Sequence, residues 1–209
     1  MSDNIENVKE AIRDFVVNQL TDSGNGFNSY FPTPNKQIYY AWTRLNERSS
    51  LPYVVLDIES EESLGYGTFN SYSKDGETLY RIDKEFYVIT VGFNFHTMRD
   101  DSNGLNGLEA QNLSYKMARF IRRKLKSDDA LSWFPNKTND DNLPIGVESQ
   151  NITDILYLPD YEDTKVNHRH RFTCSFNWQD IYQTEIDIAQ GALITEINEQ
   201  IVNIEITPT

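Results

Sequence analysis

The segment from Phe86 to Phe95 restricts the fold more than any other. Extended, it places Phe86, Val88 and Thr90 on one side and Tyr87, Ile89, Val91, Phe93 and Phe95 on the other. A strand that is apolar on both sides needs cover on both faces, from helices or from a neighbouring subunit. The segment is the return arm of a hairpin over 66–95. Its outgoing arm, Tyr66–Tyr72, runs into Ser73-Lys74-Asp75-Gly76, and Asp-Gly is a strong turn signal. Lys74 and Asp75 therefore sit at a tip that can reach away from the core.

Two segments read as helices. Over residues 4–20, Ile5, Val8, Ile12, Phe15, Val16 and Leu20 recur at spacings of three and four, with Asp3 or Asn4 to cap the start and Gly24 and Gly26 past the end. Over residues 107–126, Leu113, Met117, Phe120, Ile121 and Leu125 form the buried stripe. That second helix also carries Lys116, Arg119, Arg122, Arg123, Lys124 and Lys126 with no acid between them. The helix dipole favours cations near a C-terminus by roughly 0.3–1 kcal/mol each, which explains part of the cluster. In a chain of net charge -13, the rest suggests contact with an acidic face of a neighbouring copy, with a phosphate backbone as the alternative.

The remaining pattern is mostly strand. Gln37–Trp42 is short and rich in Tyr, and Pro52–Glu59 is a central-strand candidate. Val147–Leu158 holds two short pieces around Asn151. Val166–Trp178 alternates strongly, and Ile181–Ile188 continues it past a bend. Leu193–Ile197 and Ile201–Ile206 form a final hairpin or one bulged strand, more strand-prone than a solvated terminus and fit to add to a sheet in its own subunit or another. Polar loops occupy 21–36, 97–106 and 127–144, the last with a turn of helix at Asp128–Trp133, and 159–165 is a turn. The sum is an α+β fold: a mixed, largely antiparallel twisted sheet with two main helices packed on it and a long projecting hairpin. It is one domain over 1–209, with a C-terminal strand arm at 190–209.

Composition narrows the function. An aromatic share of 12% is too high for a disordered chain, although the apolar share is only 38%. An acidic chain binds duplex DNA poorly, because phosphate binding rests on Lys and Arg. It suits solubility, and also a passage through which a polyanion slides without sticking. The single cysteine, Cys174, cannot form an intrachain disulfide and reads as a small core residue. The start of the chain lacks a signal-peptide pattern, and no apolar run approaches the about 20 residues that span a bilayer. These features point to a soluble protein made in a reducing cytoplasm, with no membrane partner.

No catalytic pattern is present. His168 and His170 lie two apart, so both point to one strand face, and Asp160, Glu162 and Asp163 are near in sequence. Zinc would need further ligands. Arg169 and Arg171 interleave with the pair, no Cys-x-x-Cys accompanies it, and His96 is the only other histidine. A polar face toward solvent or a partner is the simpler reading, and a metal-dependent hydrolase the weaker alternative. The acids of 97–106 lack calcium-loop spacing. There is no Gly-x-Ser-x-Gly, no phosphate loop, and Gly65-Tyr66-Gly67 lacks its third glycine and helix. The chain is expected to have no catalytic residue, metal or cofactor.

The order of elements resembles the neck or tail terminator proteins of tailed bacteriophages. Three segments carry the likeness. They are the N-terminal helix followed by Trp42 and Pro52-Tyr53-Val54-Val55-Leu56; the long strand to Phe95 leading to the helix end Arg119-Phe120-Ile121-Arg122-Arg123-Lys124-Leu125; and Leu158-Pro159-Asp160-Tyr161-Glu162-Asp163 running into Asn167-His168-Arg169-His170-Arg171-Phe172. The resemblance implies a non-enzymatic virion protein, assembled in the host cytoplasm. It implies a hexameric ring that ends the tail tube and docks the head connector, or another neck, head-closure or baseplate adaptor. Implied partners are copies of itself, the tail tube protein, the head connector or head-closure protein, and sheath protein if the tail contracts. Genomic DNA passes through the lumen without specific binding. On this reading Lys74, Asp75, Arg119, Arg122, Arg123, Lys126, Arg169 and Arg171 lie at subunit contacts.

Overall fold

A computed structural model describes residues 4–43, 51–64, 69–75, 78–99, 105–138, 145–162, 165–186, 192–198 and 201–206. In chain order the elements are α1 (Asn4–Thr21), α2 (Pro34–Gln37), β1 (Ile38–Tyr40), β2 (Tyr53–Ser63), β3 (Phe69–Asp75), β4 (Thr78–Met98), α3 (Gly107–Leu125), α4 (Asp128–Trp133), β5 (Glu148–Gln150), β6 (Leu156–Tyr157), β7 (Asp160–Glu162), β8 (Lys165–Ile186), β9 (Ala192–Asn198) and β10 (Ile201–Ile206). They divide into two compact units, one of residues 1–64 and 86–179, the other of 65–85 and 180–209. The fold class is α+β.

In the first unit the strands run β1-β2-β4-β8-β5, with β6 and β7 also paired to β8. β1 and β2 pair in parallel; β2–β4, β5–β8, β6–β8 and β7–β8 are antiparallel. Contacts between β4 and β8 run in opposite chain directions, from Thr90–Ser175 through Phe93–Phe172 to His96–Asn167.

The helices form where the apolar period predicts them. α1 buries Val8, Ile12, Phe15, Val16 and Leu20 completely. α3 buries Leu113, Met117, Ala118, Ile121 and Leu125, while Phe120 is half-buried and packs on Phe27 with ring centres 5.2 Å apart. A capping box starts α3: the Asn106 side chain accepts from the Leu108 and Glu109 amides, and Glu109 accepts from the Asn106 amide at 2.9 Å. Beneath the helices, Phe93 stacks on Phe172 at 4.9 Å, and Phe134 bridges Phe15 and Phe176 at 5.3 and 5.7 Å. Each such side chain contributes about 1.5–3 kcal/mol by leaving water.

The long strand is covered on both faces, as its sequence predicts, over residues 91–97: Val91, Phe93 and Phe95 are buried on one side and Gly92, Asn94 and His96 on the other. The second face is polar, because period two turns polar beyond Thr90, and Phe86, Tyr87 and Val88 are only half-buried. The segments expected at Val166–Trp178 and from Ile181 belong to a single strand, β8, of 22 residues, in which the Gln179 amide donates to Ile145 O at 3.1 Å.

In the second unit β3 pairs antiparallel with the start of β4, from Phe69↔Lys84 to Asp75↔Thr78. Lys74 and Asp75 thus belong to the strand ladder, paired with Leu79 and Thr78; residues 76–77 lie outside those described. β9 and β10 form an antiparallel hairpin with a register shift between Val202 and Ile204.

Candidate functional site

The basic helix separates into two kinds of cation. Arg122 and Lys124 are held within the chain. Arg122 donates through Nε to Thr153 O at 2.7 Å and through Nη2 to Asp154 Oδ1 at 2.8 Å. Lys124 Nζ meets Asp129 Oδ2 at 3.0 Å and lies over the Phe120 ring. The Ser127 hydroxyl and Lys124 together hold the Asp129 carboxyl below its usual pKa. Lys116, Arg119, Arg123 and Lys126 are different. They are exposed, and they form no ion pair among the described residues. Their steps of three, four and three put them on one helix face, opposite the buried stripe.

The two arginines of β8 also have partners in the chain. Arg169 Nη1 lies 3.8 Å from Asp160 Oδ2, and its Nε is buried with no acceptor among the described residues. Arg171 pairs with Glu59, which sits where the β2–β4 register shifts between Ile58 and Ser60. Both side chains cross above Gly92, where an added Cβ would lie 2.8 Å from Arg171 Nη2 and 2.9 Å from Glu59 Oε1. Glycine at that position leaves room for the pair.

The histidines do not form the solvent-facing strand surface that the sequence suggested. His168 and His170 are buried and turned toward the helix side of the sheet. Ser114 Oγ lies 2.8 Å from His170 Nδ1, and Tyr157 Oη lies 2.8 Å from His168 Nδ1. The Tyr157 ring packs against both imidazoles. Burial lowers the pKa of all three histidines, to about 4 for His96 and His170, so they are neutral at pH 7. His96 belongs to the opposite sheet face, stacked on Tyr53 at 4.6 Å and in contact with Asn167. Among the described residues no group of three or more His, Cys, Asp or Glu is placed to hold a metal ion. Burial pushes the Cys174 thiol up to about 12, far from a reactive thiolate.

The partners Ser114, Tyr157, Asp154 and Asp129 escaped the sequence reading. Only Asp129 carried a local signal, lying five residues after Lys124 beside the helix end. Among the described residues no helix is long and apolar enough to cross a membrane.

Comparison with known proteins gives one family. A family model described as phage neck terminator protein matches residues 6–205, from α1 through β10. No curated protein matches the chain. The match covers both compact units and nearly the whole length, and on that basis the chain belongs to the phage neck terminator protein family.

Proposed function

We propose that this protein forms a hexameric ring that ends the phage tail tube and joins it to the head connector. One observation carries the reading: the match to the neck terminator family over residues 6–205, which supports a structural role in the phage neck. The partners are copies of the chain, the tail tube protein, the head connector or head-closure protein, and sheath where the tail contracts. The chain makes and breaks no bond. Its net charge of -13 suits a lumen through which DNA moves without being held.

Subunit contacts are assigned to Lys74, Asp75, Arg119, Arg122, Arg123, Lys126, Arg169 and Arg171. Arg119, Arg123 and Lys126 are the strongest of these, because their charge is exposed and not satisfied within the described chain. Arg122, Arg169 and Arg171 already have carboxylate partners, so at a contact they act through geometry more than through free charge.

The test is genetic. Phage lacking this chain should produce overlong tails that do not join heads, restored by supplying the protein in trans. Tails of normal length joined to heads would refute the terminator role. Tails of normal length without heads would assign the chain to head closure alone.

A further inference from the structure

The last two strands stand apart from the main sheet. β9 and β10 pair with each other as a two-stranded sheet and do not join the path β1-β2-β4-β8-β5. Their ladder sets Ile197 opposite Val202, Ile194 opposite Ile204 and Ala192 opposite Ile206. Residues directly opposite share a face, and so do residues two apart. The register shift sets Thr195 and Glu196 against the single Asn203. That bulge keeps Ile194 and Ile197 on one face although they lie three apart. Six apolar positions therefore share one face of the ribbon. A lone two-stranded hairpin is marginal in water and needs a further strand or a packed face. The segment is also unmixed in charge: residues 180–209 hold six acids and no Lys, Arg or His.

The first unit carries a surface of the matching chemistry. In the β8 ladders Tyr157 lies opposite His170 and Tyr161 opposite Val166. Val166, His168 and His170 alternate onto the helix side of the sheet, so both tyrosines fall on that side. Tyr115 of α3 joins them. Its ring centre is 5.5 Å from that of His170, and the Tyr157 ring is 4.9 Å from the same imidazole. Tyr115, Tyr157 and Tyr161 are 42%, 40% and 78% exposed. Arg119 neighbours both Tyr115 and Lys116 on the helix surface, at steps of four and three, and all three are exposed. Arg123 and Lys126 extend the cations along α3. Single exposed apolar residues need no explanation, but three adjacent tyrosines beside an arginine are the residue types that anchor protein contacts.

We infer that the β9–β10 hairpin of one copy docks on this tyrosine patch of the next copy. Its apolar face covers the rings, and its negative charge selects the side that carries the α3 cations. The two surfaces differ, so the contact is heterologous and closes only as a ring or continues as a helix. The inference rests on the ring reading above and adds the surfaces through which neighbours meet.

The test uses the full chain and two variants, Ile194→Ser/Ile204→Ser in the hairpin and Arg119→Glu/Tyr161→Ser in the patch. Assembly is read by sedimentation velocity, alone and with purified tail tubes. Arg119 and Tyr161 are exposed, so the patch variant should keep the parent's thermal midpoint. Each variant alone should lose self-association by on the order of tenfold or more. In an equimolar mixture one variant supplies an intact patch and the other an intact hairpin. The mixture should therefore form a 1:1 dimer that cannot grow into a ring. A parent that assembles while the patch variant assembles equally overturns the contact and leaves the ring standing. So does a mixture that associates no better than its components, which would place the hairpin on its own chain or elsewhere. A parent that is monomeric both alone and with tail tubes overturns the ring itself.

Discussion

β4 and β8 each show two unlike faces. On the helix side, Phe93, Phe95, Phe172 and Phe176 are 0–1% exposed and stack ring on ring. On the other side, Asn94, His96, Asn167, Arg169 and Arg171 meet partners one pair at a time: Asn94 with Val55 O, His96 with Tyr53 and Asn167, Arg169 with Asp160, Arg171 with Glu59. The first face is held by a non-directional force roughly proportional to apolar area removed from water. The second is held by directional contacts, each of small net worth. One face should therefore dominate stability, and the other should mainly set local geometry.

Truncation of the ring stack is the most damaging test of that contrast. Phe93→Ala or Phe176→Ala should cost about 3–5 kcal/mol in denaturant unfolding, since each leaves a cavity under the helices. A loss under 1 kcal/mol would mean the helix-side face is not the core.

Acid comes next. The folded-state pKa of His96 and His170 is depressed from 6.5 to about 4, so the unfolded chain takes up protons first. Stability should be flat above pH 6.5, fall as pH drops from 6.5 to 4, and flatten again below 4 with respect to these groups. His96→Gln combined with His170→Gln should remove much of that slope. An unchanged slope would show that other groups control acid unfolding.

Loss of a cap is smaller. Asn106→Ala leaves two amides at the start of α3 without their acceptor and should cost about 1 kcal/mol, measured by thermal midpoint. Gly92→Ala should be smallest. The nearest atoms to the added Cβ are the side-chain ends of Arg171 and Glu59, and a half-exposed ion pair is worth about 0–1 kcal/mol. A cost above 2 kcal/mol would show that the polar face bears more of the fold than its contacts imply.

The same contrast explains what could be read from the chain. α1, α3 and the alternating part of β8 are legible because burial imposes a period of 3.6 or 2 on Leu, Ile and Phe. The basic run of α3 was legible as well, but its division was not. Asp154 reaches Arg122 from 32 positions away, and Glu59 reaches Arg171 from 112. Such pairs are set by strand order, which leaves no periodic trace. The same holds for His168 and His170. Their burial depends on Tyr157 and on Ser114, the latter 56 positions from its histidine. Asp75 pairs with Thr78 in the β3–β4 ladder, because Asp-Gly marks a reversal without fixing which residues remain paired.

We propose that this member of the phage neck terminator family assembles into a ring on the tail tube. Its most direct test is sedimentation velocity of the full chain with purified tail tubes, followed by class averages of tube ends. The account predicts a closed six-fold ring capping one end of each tube. A chain that stays monomeric and leaves both tube ends bare would contradict it.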